Sequence, residues 1–396
     1  MKALIVSFYY SPEIGAAPSR ITNMAEGLQE EGVDVDILTC LPNYPKGHIF
    51  DGYRGKLYKK EIINNVQVFR YWTYATISKN SIARILGMLF FSLAIWIFGL
   101  HFRRIRRYDR VIIQSPPIMV AYSAMLLFRC VYRRNTILNV SDLWPLSAIE
   151  LGAVKEGSVY CKILQYMESF LYKHATAFQG QSQEIINHIL ASLNADKPHF
   201  LYRNLQPQPK TTNATTESRD TLKIVYAGLL GVAQDILSIA EHINFKSIGV
   251  EFHIYGGGNQ ANEIDSYVKE HDCGIVFHGY QPKEVINAAL GQYHASIVPL
   301  AVRIKGAVPS KIFDLLPHGT PILFAGGGEG EHIINEYGLG YVSAPGDYEA
   351  LKRNILKLKE LTNSEYSALR DNCIKASKDD FSFEVQIKRY QKFLED

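Results

Sequence analysis

The densest chemical content in the chain lies in Arg303-Ile-Lys305-Gly-Ala-Val-Pro309-Ser310-Lys311-Ile312-Phe-Asp314. Pro309 and Ser310 mark an expected helix start, Lys311 follows at once, and Asp314 stands one turn on. Amides at such a start can hold a diphosphate, with Lys311 as a point charge. Asp314 can then accept hydrogen bonds from a ribose diol. The same residues also read as a capped helix, with Ser310 as the N-cap and Asp314 complementing the dipole. The residues alone leave both readings open.

Small-residue turns recur after expected strands. Gly15 and Ala16 lie in the loop between the first strand and the first helix, where backbone can approach a phosphate. The loop lacks the spacing of a dinucleotide fingerprint. Gly228, Leu229 and Gly231 follow the strand Leu222–Tyr226, and Gly257 sits in the triple glycine after Tyr255. Each turn reads either as a ligand cradle or as a tight connection. His278, Gly279 and Tyr280 end another strand, where a histidine is more often structural than catalytic.

These residues need a scaffold that brings strand ends together. Short apolar runs at Ala3–Phe8, Val33–Thr39, Val66–Tyr71, Arg110–Gln114 and Thr136–Val140 alternate with helical periodicity, as in Ile21, Met24, Ala25 and Leu28. The rhythm predicts a doubly wound α/β domain over 1–205. Residues 206–218 are rich in Thr, Asn and Pro and read as an exposed linker. A second βαβ series restarts at 219 and runs to 379, and 380–396 predicts a terminal helix. Two such domains predict a ligand cleft between them.

The chain of 396 residues, 47% hydrophobic and 20% charged, suits two cores and excludes disorder. Its net charge of +3 hides an asymmetry. Residues 1–205 hold 23 Lys and Arg against 15 Asp and Glu, leaving 19 against 24 in the rest. Five scattered cysteines without a CxxC pair argue against a disulfide framework or a cysteine metal site, and favour a reducing compartment. No secretory signal is read at the N-terminus.

Ile85–Leu100 is an apolar stretch followed directly by Arg103, Arg104, Arg106, Arg107 and Arg110. As a helix it would span about 24 Å, short of a bilayer core of roughly 30 Å. Strands expected on both sides of it belong to one sheet, which argues against a single crossing. An apolar helix ending in cations predicts that 85–107 docks on the inner, anionic leaflet as a peripheral anchor. A fully buried core helix with a solvated arginine face, and a re-entrant hairpin or span, are the alternatives.

Taken in order, these motifs resemble a known family. Pro309-Ser-Lys-Ile-Phe-Asp-Leu-Leu with Gly319 and Pro321 resembles the helix motif of retaining family 4 glycosyltransferases, which have the GT-B fold: two Rossmann-like domains facing across a cleft. Leu41-Pro-Asn43-Tyr44-Pro-Lys-Gly47, Asp142-Leu-Trp-Pro145 and Gly326-Gly-Gly-Glu-Gly330 are similar to the fucosamine-transferase-like (WbuB-like) branch.

The resemblance implies transfer of a hexosyl or N-acetylhexosaminyl unit from a nucleotide diphosphate sugar, UDP-linked, with retention and without a metal or cofactor. The implied acceptor is a lipid-diphosphate-linked glycan of a capsule-like or O-antigen-like polysaccharide, at the cytoplasmic face of a bacterial membrane. No nucleic-acid partner is implied. By the resemblance Gly15 and Ala16 lie over the donor phosphates, Gly228 to Gly231 line the donor site, and His278 to Tyr280 meet the base. Asp314 takes the place of the second acid of the family's E-x7-E motif, and the first falls at Gly306. Arg303, Lys305 and Lys311 are left to neutralise the diphosphate, and an aspartate common before Pro299 is His294 here. Asp142 reads as orienting a hydroxyl or as an N-cap, and Asn43 and Tyr44 as acceptor-side or turn residues. A sugar-nucleotide epimerase of the same fold and a nonenzymatic membrane scaffold are the competing functions.

Overall fold

The computed structural model describes residues 1–76, 81–208 and 221–396. Most of the expected linker, 209–218, lies outside the described residues. The chain divides into two compact units.

The first unit comprises 1–204 and 384–396. Its strands are β1 (Lys2–Val6), β2 (Asp34–Cys40), β3 (Tyr58–Ile63), β4 (Val66–Tyr71), β5 (Arg110–Ser115), β6 (Asn135–Val140), β7 (Ala177–Gly180) and β8 (His199–Leu201). They form one sheet in the order β3-β4-β2-β1-β5-β6-β7-β8. All pairs are parallel except β3–β4. That hairpin turns through Asn64 and Asn65 at φ 49° and 65°, a left-handed pair suited to a tight two-residue turn. The chain winds outward in both directions from β1, so a crevice opens at the carboxyl ends of β1 and β5.

The helix Ser81–Gly99 covers one face of this sheet. Phe91, Ala94, Ile95 and Phe98 are buried in the core. Leu86, Leu89, Phe90, Leu93 and Ile97 recur at helical spacing on the opposite face and are exposed. The helix is therefore neither fully buried nor polar outside: it carries a bare apolar stripe, with Leu93 58% exposed. Among the described residues no helix is long and apolar enough to cross a membrane.

The arginines after it do not act alike. Arg103, Arg106 and Arg107 are exposed. Arg104 is half-buried, its guanidinium over the rings of Phe69 at 4.7 Å and Phe98 at 5.6 Å. Arg110 Nε donates to the Leu394 carbonyl at 2.7 Å, near the end of the terminal helix Phe383–Glu395. The expectation of a uniform cationic cluster is corrected accordingly: Arg104 and Arg110 are tied into packing.

The second unit, 205–383, holds β9 (Leu222–Ala227), β10 (Val250–Tyr255), β11 (Ile275–Gly279), β12 (Ala295–Pro299), β13 (Ile322–Ala325) and β14 (Gly340–Ser343). The order is β11-β10-β9-β12-β13-β14, all parallel. This is the doubly wound order 3-2-1-4-5-6, with its switch point between β9 and β12. These two strands pair only at Ala295 with Ile224 and Ser296 with Val225, so their carboxyl ends leave a crevice.

Candidate functional site

In the second unit the crevice is framed by the loop after β9 and the segment after β12. The Gly228 amide donates to the Tyr255 carbonyl at 2.9 Å, and the Leu230 amide to the Gly257 carbonyl at 3.0 Å. Gly256 and Gly258 have φ of 155°. A Cβ on either would collide with the carbonyl of Gly228 or Leu230, so this close lacing of two loops requires glycine.

Lys311 closes the crevice. A Cβ on Gly228 would strike Lys311 Cε and Nζ, so the ammonium lies directly on the glycine. It also stands 5.5 Å from the centre of the Tyr226 ring. The Tyr226 hydroxyl also lies against Gly228 and donates to the Leu229 carbonyl at 2.6 Å. Among the described residues Lys311 makes no hydrogen bond or ion pair. Burial pushes its pKa below the usual lysine value, and Asp314 one turn on pulls it partly back. A desolvated cation without a counterion, at the switch point of a doubly wound sheet, is built to receive an anion.

The expected helix start differs from the observed one. The helix Lys311–Leu315 has five residues, and the Ser310 hydroxyl makes no cap bond. The amides of Phe313 and Asp314 are already bonded to the Ser310 carbonyl at 2.9 and 3.1 Å. Ser310 thus holds the N-cap position and Asp314 the first turn, but Ser310 supplies no side-chain cap, and the side chain of Lys311 supplies charge that so short a helix cannot. Gly306 is buried with φ 81°, a left-handed conformation that favours glycine over an acid. His294 is buried, and its Nδ1 accepts from the Lys223 amide at 2.9 Å, a structural role.

Further along the same sheet edge His278 lies flat on Tyr255, with centroids 4.1 Å apart and planes 3° apart. His278 Nε2 and His253 Nδ1 share a proton at 2.9 Å, and His253 Nε2 stands 3.4 Å from Glu251. Burial lowers both histidine pKa values, so both rings favour the neutral form. Gly279 turns the chain at φ 66°, and Tyr280 beyond it is exposed. Arg303 goes elsewhere: it lines a cavity of about 550 Å³ with Gly327, Glu331, Tyr341 and Lys357, to which the Gly228 loop contributes nothing. Lys305 is exposed.

In the first unit the crevice at β1 and β5 is a cavity of about 270 Å³. Its polar floor comes from strand ends: Ser7, Gln114, Ser141 and Asp142. Among the described residues the Asp142 carboxylate accepts a hydrogen bond only from the Ser141 hydroxyl, at 3.4 Å, and the following helix Leu146–Glu150 has no side-chain cap. The N-cap reading of Asp142 is therefore overturned. Burial raises its pKa, opposed by the nearby Arg20 charge and the Ser141 hydroxyl.

Gly15 has φ 147°, and a Cβ there would lie 3.0 Å from the Tyr44 ring. Ala16 opens the helix Ala16–Glu30. The two loops are tied by Glu13, whose buried carboxylate accepts from the amides of Asn43 and Tyr44 at 2.8 Å and of Tyr10 at 3.1 Å. Asn43 is buried and bonds the Leu41 carbonyl, as a turn residue does, whereas Tyr44 remains 43% exposed.

Residues 223–360 match the model of a family described as glycosyl transferases group 1. That segment of the second unit is thus similar to group 1 glycosyl transferases. WcaI of Escherichia coli (strain K12), named for colanic acid biosynthesis and glycosyl transfer, is 23% identical over 341 residues, covering 81% of this chain and 82% of the relative. WbjE of Pseudomonas aeruginosa, named as a glycosyltransferase, is 24% identical over 272 residues, covering 65% and 68%. The solved structure of HepE from Anabaena in complex with UDP superimposes with a TM-score of 0.72 over 100% of both chains at 10% identity. The two Rossmann-like units are those of the GT-B fold.

Within the second unit the structure thus joins Gly228, Leu229, Gly257 and Lys311 around one crevice, with Asp314 beside Lys311. It sets Arg303 in a separate cavity. In the first unit it joins Gly15, Tyr44 and Asn43 through Glu13, and gives Asp142 a cavity of its own. Sequence reading missed Glu13, Arg20, Arg70 and Arg84 of this chain. Arg70 is fully buried, bonded to Glu61 and to the carbonyls of Cys40 and Ser11. No local pattern marks Arg70, because its partners lie 9 to 59 residues away.

Proposed function

We propose that this glycosyltransferase moves a hexosyl or N-acetylhexosaminyl unit from a UDP-sugar to a lipid-diphosphate-linked glycan with retention, in the making of a surface polysaccharide. The unpaired Lys311 ammonium on Gly228 carries the reading. The likeness to a UDP-bound structure and to a relative named for colanic acid biosynthesis supports it. The exposed stripe of Ser81–Gly99, beside Arg103 and Arg107, supports peripheral docking on the anionic inner leaflet.

The chemistry is a charge problem. As the bond from the anomeric carbon to the diphosphate breaks, its electron pair passes to the leaving oxygen and the sugar gains oxocarbenium character. Lys311 stabilises that growing anion without reorganising. The acceptor oxygen attacks on the same face, and its proton passes to the leaving phosphate. Asp142 orients the acceptor hydroxyl, and the platform of Tyr255 and His278 meets the base. Gly15 and Ala16 let backbone approach the donor phosphates.

Calorimetric titration with UDP and with uridine tests the donor side. UDP should bind much more tightly than uridine, and Lys311→Ala should remove most of the difference. Equal affinities for UDP and uridine in the wild-type protein would overturn the reading.

A further inference from the structure

The second unit ends its sheet on β14, and the cavity of about 550 Å³ that holds Arg303 runs along this edge strand. The helices Glu329–Glu336 and Tyr348–Glu360 supply its side walls. In a parallel ladder alternate residues of an edge strand turn their backbone outward. The carbonyls of Leu339 and Ser343 face β13, accepting from the amides of Ile322 at 2.9 Å and Gly326 at 3.0 Å. Val342 faces the cavity instead, and Asn354 Nδ2 donates to its carbonyl at 2.9 Å. Asn354 thus takes an acceptor that a docking strand would need, and the cavity suits a small molecule rather than a partner strand.

Two cations and one acid line it. Lys357 Nζ stands 4.4 Å from the centre of the Tyr341 ring and makes no ion pair or hydrogen bond among the described residues. Elsewhere the charges balance: a Cβ on Gly327 would lie 3.6 Å from Arg303 Cδ and 3.9 Å from Glu331 Oε2, so guanidine stem and carboxylate flank one glycine. The deciding group is Ser343. It lines the cavity, is 4% exposed, and its hydroxyl has no partner among the described residues. A buried hydroxyl left unbonded is costly, and one in a cavity wall points to a ligand that bonds it.

We propose that this cavity takes a hexose phosphate, at a site separate from the crevice that Lys311 closes. In this arrangement the phosphate meets Lys357, ring hydroxyls bond Glu331, Arg303 and the Asn335 amide, and Ser343 gains the partner it lacks. Lys357 without an acid calls for an anion. Glu331 with Arg303 and Asn335 offers acceptors and donors together, which suits hydroxyls and repels a second anionic group. A bare phosphate leaves the Glu331 end unused, and a neutral sugar leaves Lys357 unused. A nucleotide fits less well: Tyr341 is the one aromatic residue in the lining, and it packs on the core with Lys357 over its ring, so no face is left to stack a base.

The test is calorimetric titration of the full chain with a panel of hexose 1- and 6-phosphates, with glucose and inorganic phosphate as controls. At least one hexose phosphate should bind tenfold or more tightly than either control. Its binding should persist in the presence of saturating UDP and in Lys311→Ala, because the donor crevice is not involved. Lys357→Gln, at an exposed position, should weaken it about tenfold, the loss of one charge-assisted contact. Ser343→Ala should weaken it about fivefold yet leave the melting temperature of the free protein unchanged or raised, since the hydroxyl bonds nothing there. A panel that binds no better than glucose or inorganic phosphate, binding that UDP displaces, or binding indifferent to Lys357→Gln would overturn the inference.

Discussion

Replacing Lys311 by alanine separates a diphosphate anchor from a structural lysine. A sugar nucleotide carries about one charge on each phosphate, and bond breaking adds about one more to the leaving group. One unit charge about 4 Å from Nζ is worth about 4 kcal/mol at an effective dielectric of about 20. Mutational losses of a single stabiliser of a developing anion run to about 2.7–4 kcal/mol, so turnover should fall roughly a hundred- to a thousandfold.

The donor's Michaelis constant should rise less. A hydrogen bond to a charged group that is already present in the bound ground state is worth about 1.5 kcal/mol at the low end, or roughly tenfold. Stability should move the other way. The ammonium is desolvated and unpaired in the free protein, so its removal should leave the melting temperature unchanged or raised. A lysine whose folded pKa lies below its unfolded value binds more protons when unfolded. Wild-type stability should therefore rise with pH through the window between the two values, and Lys311→Ala should flatten that rise. Steady-state kinetics with a fixed acceptor, plus thermal unfolding at several pH values, reads all of these. A variant that melts several degrees lower yet turns over at the wild-type rate would refute the reasoning and make Lys311 a packing residue.

Three further outcomes follow from the same geometry. Gly228→Ala should displace the Lys311 ammonium and lower turnover at least tenfold without unfolding the protein, measured by activity and near-ultraviolet circular dichroism. Arg103→Gln with Arg107→Gln should weaken binding to anionic vesicles by about 1 kcal/mol for each charge, whereas Arg104→Gln should mainly lower the melting temperature because its guanidinium packs on Phe69 and Phe98. Burial raises the pKa of Glu13, so its contribution to stability should fall as pH rises from the unfolded carboxyl pKa through the folded one, and Glu13→Ala, which strands three amides, should cost about 2 kcal/mol or more by urea titration.

Much of this molecule was legible along the chain. Buried parallel strands such as β1 and β9 announce themselves as apolar runs, and turn glycines mark their carboxyl ends. The edge strand β3 escaped because Tyr58-Lys-Lys-Glu-Ile-Ile63 is charged and alternates between half-buried and exposed residues. β7 and β8 are too short, at four and three residues, to show a period.

Lys311 stood out by its spacing, but the free helix-start amides expected beside it are not what the fold provides, because those of Phe313 and Asp314 already bond the Ser310 carbonyl. The position of Lys311 over Gly228 depends on two segments more than eighty residues apart, and no local pattern encodes that. The same holds for Glu13, whose three amide donors come from two loops. The apolar stretch after Ile85 was plain in the sequence. Which half of it is buried was decided by the sheet beneath, and so was the cavity that its first turns wall.

The most direct test of the proposed function is release of UDP from a panel of UDP-sugars, with and without vesicles carrying a lipid-diphosphate-linked glycan. UDP release with at least one donor should depend on the lipid-linked acceptor, yield a product with the donor's anomeric configuration, and be lost in Lys311→Ala. Donor binding with no acceptor-dependent release across the panel, or release with sugar interconversion in the absence of lipid, would contradict the proposed function.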